Sequence, residues 1–125
     1  MKGNAAVRRK VLVVDDNADA AYVLSMFVAA CGHDTAVAYG GPEALDVAAT
    51  FRPEIVFLDL GMPVMTGYEV AVALRKLPGL AHVYISALTG YNDPQTRARV
   101  VMAGFDRHLT KPADLSAVLQ VVETA

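Results

Sequence analysis

The sequence is poor in several features that would otherwise decide its class. It has a single cysteine, Cys31. That excludes an internal disulfide and a zinc site built from several thiolates, and it favours a reducing, cytoplasmic setting. Cys31 itself reads as a small buried hydrophobe on a helix. No apolar run approaches the roughly 20 residues needed to span a bilayer. Neither charge sign is in excess: the net charge is -2. Nothing therefore points to nucleic acid or a membrane surface as a partner of this domain. The start of the chain carries Lys2, Arg8, Arg9 and Lys10 without the apolar core of a signal peptide. Residues 1–9 read as a short solvated tail. There is no internal repeat, low-complexity segment or interdomain linker. What is present is 125 residues, 54% hydrophobic and 19% charged. That is enough for one domain with a proper core, expected over residues 10–125, and too apolar for disorder.

The stretch that organises the chain is I-V-F-L-D-L-G-M-P-V-M-T-G, Ile55 to Gly67. Ile55–Leu58 is a continuous apolar run, which suits a strand buried on both faces of a parallel sheet. It ends on Asp59, and a carboxylate at the end of a buried strand is costly unless it meets a crevice, a cation or donors. A second such run, Val11–Val14, ends on Asp15-Asp16. A helix over Asn17–Cys31 follows, with Ala20, Val23, Leu24, Phe27, Val28 and Cys31 as its apolar stripe and Gly32 as its stop. His33–Ala38 reads as an edge strand. The next helix has Pro42 at its first position, with Leu45, Ala48 and Ala49 inward. Thr66 and Glu69 have the spacing of a capping box for a third helix with Val70, Ala73, Leu74 and Leu77 inward. Val83–Leu88 is a strand that stops at Thr89-Gly90. Asp93-Pro94 opens a helix with Ala98, Val101 and Met102 inward. Arg107–Thr110 is a short edge strand, and Asp114 caps a last helix with Leu115, Val118, Leu119 and Val122 inward. His33 and His82 read as surface residues, and Met62, Met65 and Met102 as packing.

Strand and helix alternate five times, which argues for an α/β fold with a parallel sheet covered on both faces. Five strands are too few for an eight-stranded barrel, so a doubly wound three-layer sandwich is expected. Right-handed crossovers put every strand's C-terminal end on one edge, where ligands of such sheets bind. Asp15 and Asp16, Asp59, Thr89 and Lys111 all fall at that edge. Three carboxylates so close resist ionising together. A divalent cation resolves the conflict, and Mg²⁺ prefers carboxylates, a backbone carbonyl and waters beside a phosphate. Lys111 and Thr89 add a charge and a hydroxyl for a phosphoryl group. Singly, each residue has an ordinary reading: Asp15-Asp16-Asn17 a helix cap, Asp59 a turn, Thr89-Gly90 a strand exit, Lys111 a solvated side chain. Their conjunction at one sheet edge is what carries the site.

The set resembles the receiver domain of bacterial two-component response regulators over nearly the whole chain. The matching pieces are Asp15-Asp16 after V-L-V-V, L-D-L-G-M-P-V-M-T-G-Y-E around Asp59, A-L-T-G at Thr89, and A-G-F-D…L-T-K-P ending at Lys111-Pro112. The resemblance implies a flavodoxin-like (βα)5 sandwich with strand order 2-1-3-4-5. It implies that Asp59 is the phosphoacceptor, with Mg²⁺, or Mn²⁺ in its place, held by Asp15, Asp16, Asp59 and the Gly61 carbonyl. Lys111 would pair with the phosphoryl group and Thr89 would move to bond it. The Lys111-Pro112 bond is expected to be cis. The family's switch position on the fifth strand, usually Tyr or Phe, is His108 here, a smaller and titratable side chain. His108 is expected to adjust output rather than phosphorylation. Gly61 and Tyr91 occupy the two positions that flank the approach of a hydrolytic water.

The function expected from this resemblance is a phosphoacceptor switch. It would accept a phosphoryl group from a histidine kinase or histidine phosphotransfer protein. An output partner would read it through the face of the fourth helix, fifth strand and fifth helix, and it would dephosphorylate itself slowly. No separate substrate turnover is expected. A small Mg²⁺-dependent phosphohydrolase is the rival reading, but Gly61 stands where such an enzyme needs a second carboxylate. A flavodoxin-like flavin binder would want Ser, Thr and Gly in the loop that here holds Asp15-Asp16-Asn17. A docking module independent of phosphorylation is disfavoured by the intact acidic set. The domain reads as a stand-alone regulator or as the receiver of a hybrid histidine kinase.

Overall fold

A computed structural model of the protein describes residues 7–125. The chain runs β1 (Lys10–Val14), α1 (Ala18–Ala30), β2 (Asp34–Ala38), α2 (Gly41–Phe51), β3 (Ile55–Asp59), α3 (Gly67–Arg75), β4 (Tyr84–Thr89), α4 (Pro94–Met102), β5 (Arg107–Thr110) and α5 (Leu115–Thr124). The five strands form one parallel sheet in the order β2-β1-β3-β4-β5. The expected three-layer sandwich and its strand order are therefore observed.

Alternation along the central strands splits the core in two. Leu12, Val14, Val56, Leu58, Ile85 and Ala87 face a cluster completed by Ala44 and Ala48 of α2, Val70 and Leu74 of α3 and Val100 of α4. Val11, Val13, Ile55, Phe57, Leu88 and Leu109 face the other cluster, with Ala21, Leu24 and Val28 of α1 and Val118, Val121 and Val122 of α5. β3 is buried along its whole length, which is why its sequence shows no polar alternation. Helix starts follow the local chemistry. Asn17 caps α1 through Ala20 N, Thr66 and Glu69 form a reciprocal capping box on α3, and Asp93 and Asp114 cap α4 and α5. Because Asn17 takes the capping role, Asp15 and Asp16 are left for other work.

Several expected burial patterns are corrected. On α1 the buried stripe is Ala21, Leu24, Ser25 and Val28, while Val23 is exposed. On α2 Ala44 and Ala48 are buried and Ala49 faces solvent. On α4 only Val100 is buried; Ala98 is exposed, Val101 is 72% exposed and Met102 86%. On α5 Leu115 is exposed and Val121 takes an inward place. Periodicity identifies residues that share a helix face, but a helix with two apolar faces does not say which one meets the sheet. His33 is not a surface residue: it is buried, and its Nδ1 accepts the Arg9 N–H at 3.0 Å. Cys31 is half-buried. The Lys111–Pro112 bond is cis. Of the expected tail, residues 1–6 lie outside the described residues. Arg8 pairs with Asp34 at 2.9 Å just before β1. Among the described residues no helix is long and apolar enough to cross a membrane.

Candidate functional site

The strand order brings the C-terminal ends of β1, β3, β4 and β5 side by side. Val14 pairs with Leu58, Asp59 with Leu88 and Thr89 with Thr110. Asp15 leaves β1 into the crevice, 2% exposed, and its Oδ1 accepts the Asn17 N–H at 2.9 Å. Asp59 closes β3 at 6% exposure, and its Oδ1 accepts the Gly61 N–H at 3.2 Å. Asp16 stands at the rim, open to solvent. One carboxylate oxygen from each of Asp15, Asp16 and Asp59 lies within 4.8 Å of the others.

The cation that meets them comes from the end of β5. Lys111 Nζ is 3.0 Å from Asp15 Oδ2 and 3.6 Å from Asp59 Oδ2. Burial alone would pull the Lys111 ammonium down. Its hydrogen bond to Asp15 and the charges of Asp59 and Asp15 outweigh that and hold its pKa above the ordinary value. Asp59 is pushed up to about 6, first by burial and then by the neighbouring Asp15 charge, against the opposing Gly61 N–H and Lys111. One ammonium does not neutralise three carboxylates, two of them buried. The donor set is therefore suited to a hard divalent cation, which takes carboxylate oxygens with room for water and phosphate.

The remaining sequence-derived residues sit around this centre. Thr89 is buried at the end of β4, and its Oγ1 accepts the Tyr91 N–H at 3.1 Å. Tyr91 holds its side chain in the open, 72% exposed. His108 is half-buried on β5, with Nε2 3.2 Å from the Tyr91 carbonyl oxygen. Gly61 is exposed, and a side chain placed there would meet nothing within 4 Å. The crevice thus brings Asp15, Asp16, Asp59 and Lys111 together, with Thr89 beside them, while Tyr91 and His108 meet each other one layer out.

Sequence reasoning passed over three features. Gly67, the first residue of α3, is pressed against the end of β3: a Cβ there would lie 2.5 Å from the Asp59 carbonyl oxygen and 2.8 Å from Leu60 Cα. Val64 has φ of 70° inside a three-residue turn closed by Met65 N–H on the Pro63 carbonyl at 2.7 Å. A β-branched residue rarely adopts that conformation. Arg75 at the end of α3 bonds the Gly104 and Val83 carbonyls and Asp106, joining α3 to the segments that lead into β4 and β5. Gly67 lies in a helix start that the sequence does show, but its close approach to β3, like the other two features, depends on chain paths that no local pattern encodes.

Comparisons with known proteins agree with this geometry. The response regulator receiver domain profile matches residues 11–123. The DNA-binding response regulator MtrA of Mycobacterium tuberculosis H37Rv is 37% identical over 109 residues, 85% of this chain and 45% of that protein. The chain spans about half the length of such curated relatives. Among solved structures, the chemotaxis protein CheY4 of Vibrio cholerae superposes with a TM-score of 0.87 at 29% identity, covering 93% of this chain and 97% of that one. The receiver domain of a sensor histidine kinase from Pseudomonas aeruginosa PAO1 shares the fold, with a TM-score of 0.82 at 23% identity over 93% and 95% of the two chains. With the acidic crevice, the strand order and the sequence match in accord, the chain belongs to the response regulator receiver domain family.

Proposed function

We propose that this receiver is a Mg²⁺-dependent phosphoacceptor switch with Asp59 as the acceptor. The observation that carries the reading is the Asp59 carboxylate, buried at the crevice floor between Lys111 and the acidic pair. An Asp59 oxygen attacks the phosphorus of a phosphohistidine on a histidine kinase or histidine phosphotransfer protein. The O–P bond forms as the N–P bond breaks, and that electron pair returns to the imidazole nitrogen. Lys111, already aimed at Asp59, offsets charge on the transferring group. Asp15, Asp16, Asp59 and the Gly61 carbonyl would hold Mg²⁺, or Mn²⁺, which supplies further positive charge there. The Pseudomonas aeruginosa receiver noted above is described with magnesium coordinated in its active-site cleft. The Thr89 hydroxyl answers the new phosphoryl group, and the surface of α4, β5 and α5 passes the change to an output partner. Ala98, Val101 and Met102, solvent-facing on α4, give that surface apolar contact area.

Two tests address the metal and the chemistry. A small acyl phosphate donor should phosphorylate the domain with Mg²⁺ present and not when a chelator removes it; uptake indifferent to metal would count against the reading. Titration with Mg²⁺ should show a single site that Asp16→Ala severely weakens. Wild-type affinity in that variant would remove Asp16 from the ligand set.

The lifetime of the phosphoryl group is the finer part of the reading. Hydrolysis needs a water in line with the new O–P bond. Gly61 offers no side chain to orient one, and the Tyr91 ring, exposed on the loop after β4, is bulky enough to screen the approach once that loop is drawn inward. Slow self-dephosphorylation is expected. Tyr91→Ala should speed decay several-fold after the donor is removed, and Gly61→Asn with Tyr91→Glu should speed it more, since position 61 has space for the side chain. Unchanged decay in Tyr91→Ala would discard the screening role while leaving Asp59 as acceptor.

A further inference from the structure

Gly41 opens α2 inside the helix and outside the left-handed region, so its backbone does not call for glycine. Space does. A Cβ at position 41 would lie 2.7 Å from Met65 Cβ, 2.7 Å from Met65 Sδ and 2.9 Å from Met65 Cγ. The Met65 side chain therefore rests on the bare α-carbon of Gly41, against the core cluster that takes in Met62. It ties the loop between β3 and α3 to a different helix. Little else holds the middle of that loop. Leu60 N–H donates to the Leu88 carbonyl at 3.0 Å, so the loop starts from the sheet. Among the described residues, the one backbone–backbone bond within 61–65 is Met65 N–H to the Pro63 carbonyl. Val64, enclosed by that turn, is 96% exposed with φ of 70°. A valine does not favour that conformation, so the turn is kept by what anchors Met65.

We propose that Met65 is a positioning residue for the metal site: seated on Gly41, it fixes the loop and the direction of the Gly61 carbonyl. The proposal rests on the reading of that carbonyl as a ligand. The loop is pinned at Leu60 by β4 and at Met65 by α2, with Met62 buried between them. Pro63 locks one more torsion. Gly61 has no side chain of its own to pack, so its carbonyl takes its direction from these anchors. Mg²⁺ demands near-octahedral ligands and tolerates little displacement, whereas Ca²⁺ accepts variable geometry. A misdirected carbonyl therefore weakens Mg²⁺ more than Ca²⁺. A packing defect that only lowered stability would not discriminate between the two ions.

The test titrates the ¹⁵N-labelled full chain with Mg²⁺ and with Ca²⁺, followed by NMR. Gly41→Ala crowds Met65 Cβ, which no side-chain rotation can move, so the loop backbone must shift. Mg²⁺ affinity should fall about tenfold, the usual cost of losing support for a ligand. Ca²⁺ affinity should fall less than about twofold. Met65→Gly removes the three crowded atoms and the seat together, and it should show the same selective loss. Adding Gly41→Ala to Met65→Gly should then change nothing further. Because Met65→Gly deletes atoms rather than inserting them, it carries the test if Gly41→Ala does not fold. The proposal is overturned by wild-type Mg²⁺ affinity in either single variant, by equal weakening of both ions, or by a full second loss in the double variant. Asp16→Ala, which should weaken both ions, shows that the titration reports this site. Wild type that binds neither ion would overturn the metal reading itself, and the proposal with it.

Discussion

Asp59→Asn should make the metal-free domain more stable at neutral pH while abolishing phosphoryl uptake. Burial and the Asp15 charge hold the folded-state pKa of Asp59 near 6, against an ordinary value of 3.8. A carboxylate raised in this way favours the fold in its protonated form. Its contribution is fully present below about pH 4 and is lost as the pH rises through about 6, where the native state must carry the charge. The loss is on the order of 2 kcal/mol, and asparagine, which does not titrate, escapes it. Denaturant melts at about pH 4 and about pH 7.5 should show wild type weakening with pH and the variant staying nearly level. Added Mg²⁺ should raise wild-type stability by mass action and leave Asp59→Asn almost unmoved. An Asn variant less stable than wild type at neutral pH would mean that Asp59 is held by more favourable partners than the crevice provides.

Gly67→Ala should cost about 2–3 kcal/mol, although alanine is by propensity the better helix residue. Gly67 stands at the first position of α3, where the added methyl would lie 2.5 Å from the Asp59 carbonyl oxygen and 2.8 Å from Leu60 Cα. Both are backbone atoms of the segment that presents the phosphoacceptor, so relief moves either α3 or the end of β3. Thermal melts should fall by about 10 °C, and metal affinity should fall with them. Gly61→Ala, six residues earlier, is the internal control, since its methyl would meet nothing within 4 Å. A Gly67→Ala variant as stable as Gly61→Ala would show that α3 can lift off the strand without cost.

Much of this was readable in the sequence because the signals were local or repeated. Val11–Val14 and Ile55–Leu58 are buried on both faces, so they appear as unbroken apolar runs. Each run ends on an acidic residue because the crevice begins where the core stops. The Thr66–Glu69 capping box is a four-residue pattern and was found in place. The failures have a common cause. Helix α1 carries one charged residue, Asp19, so its apolar stripe has no polar boundary; Val23 and Met26 face solvent while Ala21 and Ser25 are buried. Helix α4 meets the core through Val100 alone, and the Ala98–Val101–Met102 stripe that periodicity selects lies on its open side. His33 and His108 have their partners on the Arg9 and Tyr91 backbone, respectively 24 and 17 residues away. No pattern within one element encodes such pairings.

The central claim is that phosphoryl transfer ends on one oxygen-bearing residue at the end of β3. The direct measurement is to expose the domain to a small acyl phosphate donor with Mg²⁺, reduce the product with borohydride, and locate the residue converted to homoserine by peptide sequencing. Only an acyl phosphate of aspartate is converted in this way. Homoserine at position 59, absent from the Asp59→Asn variant and from metal-free controls, is the predicted result. Homoserine at Asp15 or Asp16, or consumption of the donor with no residue converted, would contradict it.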